Sequence, residues 1–96
     1  MPLFALYAKD GPQGPALRDE HRAEHMAFMN RIDGEKRVLF AGPLKDRIGG
    51  RSVGSLIVFE AEDEDAAQAL MAEDPYARAG VFAAAEVLPC LKAFPK

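Results

Sequence analysis

Two histidines one helical turn apart, His21 and His25, and an aspartate set before a proline, Asp74, are the residues whose types and spacing first suggest chemistry. An imidazole can take or give a proton near neutral pH. A carboxylate held against it would orient the ring and stabilise its protonated form. Arg18 lies two turns before His25 and Arg22 nearly one turn before it. Their guanidinium groups would flank the imidazole, favour its neutral, basic form and offer contacts to an anion. Tyr7, Tyr76 and Ser55 each carry a hydroxyl that a pocket could use. A plainer reading stands beside this one. His25 could be a packed histidine with a satisfied tip, Arg22 a solvated surface residue, and Asp74-Pro75 the punctuation of a turn.

Other patterns carry less. His21-Arg22-Ala23-Glu24-His25 matches the H-x-x-E-H arrangement of inverted zinc peptidases. A domain of this size lacks the helices that surround such a centre, and no third ligand stands out, so no metal is expected. Cys90 follows Pro89 with no histidine nearby and reads as a small packed residue. Gly49-Gly50 follows no strand-to-helix turn and is not a phosphate loop.

The elements that must position these residues follow from periodicity. Leu3–Ala8 is a continuous apolar run too short for a core helix, so it reads as a strand buried on both faces. Gly11-Pro12-Gln13-Gly14-Pro15 is expected as loop. From Leu17 to Asp33, Leu17, His21, His25, Phe28, Met29 and Ile32 share one arc at about 100° per residue. This is an amphipathic helix with histidine on its inward side, stopped by Gly34. Val38–Ala41, ended by Gly42-Pro43, and Ser55–Glu60 are two further strands. Asp63-Glu64-Asp65 opens a second helix where the macrodipole favours acid, and Ala66, Ala67, Leu70 and Met71 form its buried stripe. Pro75 ends that helix near Asp74, which would leave the carboxylate at the negative, unfavourable end of the dipole. One irregular turn and a last strand, Val81–Leu88, complete the chain.

The order β-α-β-β-α-β is that of an α+β, ferredoxin-like domain, a four-stranded antiparallel sheet with two helices on one face. Two helices cover one face only. The other would expose a large apolar patch, so a homodimer through the open sheet face is expected.

Composition excludes several classes. The 96 residues are one domain, 49% apolar and 28% charged, a globular balance. A net charge of −3 without a basic face argues against nucleic-acid binding. A single cysteine forms no internal disulfide, no apolar run spans a bilayer, and the first residues lack the regions of a signal peptide. The expected setting is cytoplasmic.

Taken together, an opening strand ending in Tyr7-Ala8, Arg18-x-x-x-Arg22-x-x-His25 and Ala41-Gly42-Pro43 carry a family likeness. So do a third strand containing Ser55, Ala66-Ala67-x-Ala69, and Asp74-Pro75-Tyr76-x-x-Ala79-Gly80-Val81. With this order and spacing the chain resembles the YCII-related family of the dimeric α-β barrel group over essentially its whole length. The resemblance implies a protomer that dimerises by sheet-face packing and a site built on a His-Asp pair, here His25 and Asp74. One branch of the family removes chloride from a chlorinated hydroxyquinol without a cofactor, and related barrels include isomerases and small monooxygenases. The expectation is a cofactor-independent lyase- or isomerase-like enzyme. In it His25 is the acid or base, Asp74 its partner and Arg18 an anion contact, with Arg22, Tyr7, Ser55 and Tyr76 at the substrate. Competing readings are a ligand-binding or accessory module without chemistry, and a purely structural dimer in which His25 and Asp74 lie apart or are fully packed.

Overall fold

The computed structural model describes Met1–Lys96. Its elements are β1 (Leu3–Asp10), α1 (Gly14–Gly34), β2 (Val38–Lys45), β3 (Ser52–Glu60), α2 (Glu64–Ala72), α3 (Pro75–Ala79) and β4 (Phe82–Cys90). The strands form one antiparallel sheet in the order β2-β3-β1-β4. This is the ferredoxin-like βαββαβ arrangement, with one short helix added.

Strand parity decides what each face carries, because successive side chains point to opposite sides. Phe4, Leu6 and Ala8 on β1 lie opposite Phe59, Ile57 and Ser55 on β3, and all six are buried. Phe28 and Ile32 from α1 and Ala67, Leu70 and Met71 from α2 complete the core over this face. Fully burying a side chain such as Phe59 or Ile32 stabilises the fold by about 1.5–3 kcal/mol each. The alternate positions face outward. Tyr7, Phe40 and Leu88 are 45%, 55% and 56% exposed, so β1 is buried on one face of the protomer rather than on both.

Several boundaries differ from the sequence expectation. α1 starts at Gly14, not Leu17, because Pro15 falls in the first turn, where a missing N–H costs nothing and a fixed φ helps. Gly34 is its last residue, and the left-handed turn beyond is made by Lys36 at φ 60°. β2 runs through Gly42-Pro43 to Lys45, and β4 through Pro89 to Cys90. Both are edge strands, where a proline need not supply a ladder hydrogen bond.

The largest correction concerns the segment after α2. That helix ends at Ala72, with Asp63 capping its start through a 2.8 Å bond from the Ala66 N–H. What reads as an irregular turn is α3. Asp74 is its N-cap, accepting the Tyr76 N–H, and Pro75 occupies the first turn. Asp74 therefore faces the positive end of a helix rather than the negative end of one. Gly80 closes α3 at φ 84°, a left-handed angle glycine adopts without strain. No helix is long and apolar enough to cross a membrane.

Candidate active site

α1 presents Arg18 and His25 seven residues apart on the side facing α3 and the sheet. α3 supplies Asp74 at its cap and Tyr76 two residues further on, within the first turn. His25 Nδ1 and Asp74 Oδ1 are 2.7 Å apart, in a pair whose side chains are 16% and 1% exposed. The same Oδ1 accepts the Tyr76 N–H at 2.9 Å, while Oδ2 is buried without a partner. A carboxylate only accepts, so the bridging proton sits on Nδ1 and the neutral ring carries its free lone pair on Nε2. Nε2 has no partner in the chain, is not among the buried unpaired atoms, and His25 lines a cleft. The Tyr76 ring stacks on the imidazole, centroids 3.8 Å apart and planes within 3°. Between cap and stack, the histidine has little freedom left.

Arg18 is a clamp. Its Nε and Nη2 bind the two oxygens of Asp10 at 2.7 and 2.8 Å, and Nη2 also donates to the Gly54 carbonyl and the Ser55 hydroxyl at 2.9 and 3.0 Å. Its own backbone carbonyl accepts the Tyr76 hydroxyl at 3.3 Å. One side chain thus ties the end of β1 to β3 and the start of α1, and its backbone reaches α3. Only Nη1 is free for a ligand. Gly54 is required at this crossing, since a Cβ there would run into the Ala8 carbonyl oxygen.

The cleft has a volume of about 400 Å³ and lies between α1 and the β2–β3 half of the sheet. Arg18, Arg22, His25, Ser55 and Tyr76 all line it. Their parts differ from those expected. Tyr76 offers its ring, because its hydroxyl is committed to Arg18. Arg22 sits at the rim, 62% exposed and 3.1 Å from Asp19. With Arg18 answered by Asp10 and Arg22 by Asp19, the flanking charges expected beside His25 are both compensated. Tyr7 is not in the cleft. The parity that turns Leu6 and Ala8 inward turns Tyr7 to the open face. His21 lies outside the lining, beside Glu20 and Glu24 at 3.8 and 3.7 Å. No group of three or more His, Cys, Asp or Glu side chains is placed to hold a metal ion. Cys90 is half-buried at the far end of β4, opposite Leu3.

Three contributors were not picked out from the sequence. Asp10 anchors Arg18 from eight residues away, and Lys45 and Ser52 line the cleft from the facing ends of β2 and β3. A carboxylate eight residues before an inward arginine was the one available signal for Asp10. Nothing local marks Lys45 or Ser52.

Comparison with known proteins agrees with this architecture. The sequence profile of the YCII-related domain matches residues 2–91. Protein YciI of Escherichia coli is 34% identical over 97 residues, covering 96% of this chain and 99% of that protein. An uncharacterized protein of Haemophilus influenzae is 32% identical over 96 residues, covering 95% and 98%. Among solved structures, the 5-chloro-2-hydroxyhydroquinone dehydrochlorinase TftG of Burkholderia phenoliruptrix superposes with a TM-score of 0.79 at 30% identity. The match covers 88% of this chain and 89% of that one, and that protein is in complex with 2,5-dihydroxybenzoquinone.

Proposed function

The chain belongs to the YCII-related domain family, and from that premise we propose that it is an enzyme moving a proton on a small, enolisable or phenolic ring compound. The observation that carries the proposal is the 2.7 Å Asp74–His25 contact at Nδ1, on a histidine that lines the cleft and whose Nε2 is left without a partner in the chain. Nε2 takes a proton from a C–H or O–H of the bound compound. The electron pair left behind either forms a new double bond as a neighbouring leaving group departs, a lyase step, or shifts along the ring until another carbon recovers the proton, an isomerase step. In both, Asp74 holds the Nδ1 proton and stabilises the imidazolium that forms. Tyr76 keeps the ring plane fixed through the transfer. Arg18 positions the walls of the site, since its fork is spent on Asp10.

The similarity to a dehydrochlorinase supports small-molecule chemistry of this class, and its ligand supplies a starting probe. The test is a panel of hydroxylated and halogenated benzoquinones and hydroquinones, including 2,5-dihydroxybenzoquinone, followed by absorbance and halide release. Wild-type turnover that disappears in a folded His25→Ala variant supports the proposal. Unchanged turnover in that variant removes it.

The same reading includes a homodimer through the open sheet face. Phe40 and Leu88 are each more than half exposed there, beside half-buried Leu3, Leu56 and Val58. An apolar face of this kind is rarely left to water. A second copy covers it by symmetric, self-complementary packing.

A further inference from the structure

The cleft has a charge opposite to that of the protein around it. The chain carries a formal net charge of −3, yet the thirteen residues lining the cleft include three cations and no acid. Two of those cations, Arg18 and Arg22, already face carboxylates. The third does not. Lys45, at the end of β2, pairs with Ser52 at the start of β3, and its Nζ donates to the Ser52 hydroxyl at 3.1 Å.

This contact has a consequence in donor count. An ammonium has three N–H donors, and one is used on Ser52. A serine hydroxyl that accepts from lysine keeps its own hydrogen free to donate. Lys45 and Ser52 therefore present two adjacent donor groups, an ammonium and a hydroxyl, and one uncompensated positive charge, which matches the two oxygens of a carboxylate. Met26, Met29 and Ile57 on the same lining are apolar and, for the methionines, adaptable in shape. His25 lines the same space.

We infer that the cleft selects a monocyclic organic acid, with its carboxylate seated on Lys45 and Ser52, its apolar ring on Met26, Met29 and Ile57, and its reacting end toward His25. The inference rests on the cleft being the functional site and adds the class of ligand and the residue that selects it. Lys45 is exposed, so the attraction weakens with ionic strength.

The experiment is an NMR titration of the intact protein with benzoate and, separately, with its neutral isostere benzamide. Benzoate is expected to shift the Lys45, Ser52 and His25 amides saturably, and to bind about tenfold tighter than benzamide or more. Lys45→Gln loses about tenfold of the benzoate affinity, Lys45→Arg keeps most of it, and Lys36→Gln, an equal charge change outside the cleft, leaves it unaltered. Equal binding of benzamide, unaltered benzoate affinity in Lys45→Gln, or no saturation by about 20 mM benzoate would overturn the inference. His25→Ala, titrated alongside, retains benzoate binding. Binding that depends on Lys45 without turnover in any assay would leave the acid seat standing and remove the proton chemistry. Turnover indifferent to Lys45 would do the reverse.

Discussion

Replacing Asp74 with asparagine separates what its carboxylate does for the fold from what it does for His25. The structural loss should be moderate. Asparagine is as good an N-cap as aspartate, so the bond from the Tyr76 N–H to the side-chain oxygen survives and α3 stays capped. The new amide nitrogen takes the place of Oδ2, which is buried and has no partner. Leaving a donor unsatisfied there costs about 1–3 kcal/mol. For a domain of this size that is a melting temperature lower by about 4–8 °C for each kcal/mol, with the fold retained. The functional loss is much larger. An asparagine carries no charge to stabilise the imidazolium, and if its amide nitrogen turns toward Nδ1 the ring must carry its proton on Nε2, which then cannot act as a base. Turnover is expected to fall by about two to four orders of magnitude. The assay pairs a melting curve with kcat/KM on the compound the quinone panel yields. A variant that melts lower but turns over within about threefold of wild type would refute the reasoning, because it would divorce His25 from the Asp74 charge.

Three further outcomes follow from the same packing. Arg18→Ala leaves the Asp10 carboxylate, 5% exposed, without its partner and should cost about 3–5 kcal/mol, while Arg18→Met with Asp10→Leu recovers much of it; chemical denaturation of the two variants beside the wild type reads this directly. Gly54→Ala drives a methyl into the Ala8 carbonyl, so β1 and β3 must separate, and a loss of about 1–3 kcal/mol is expected by thermal melting. Phe40→Glu with Leu88→Glu places charge on the proposed dimer face, and light scattering should find a folded monomer for this variant and a dimer for the wild type.

The residues show where sequence reasoning reaches and where it stops. The alternation of strand and helix patterns carries the fold, because each long element repeats its period often enough to read. The α1 stripe likewise brings out His25 beside Phe28 and Ile32. The short helix α3 escapes, since five residues hold barely more than one turn and no period. Missing it places Asp74 at the wrong end of a helix, although the pairing with His25 is the right one to suspect. Tyr7 is misplaced because β1 is apolar at every position from Leu3 to Ala8, so the pattern names a strand without saying which parity faces the helices. Lys45 and Ser52 meet only through the β2–β3 register, and a pairing across a turn with bulges is not written in either residue's neighbours. Asp10 is hidden for the same reason, its role being set by a contact between a strand end and a helix.

The central claim is that Asp74 fixes the His25 proton on Nδ1 and leaves Nε2 as the reactive atom. Nitrogen-15 NMR of the imidazole in the wild-type protein, at a pH where the ring is neutral, tests it without any substrate. The expected spectrum has a protonated, hydrogen-bonded Nδ1 and an unprotonated Nε2, with the distinction lost in Asp74→Ala. A neutral ring carrying its proton on Nε2 would contradict the account.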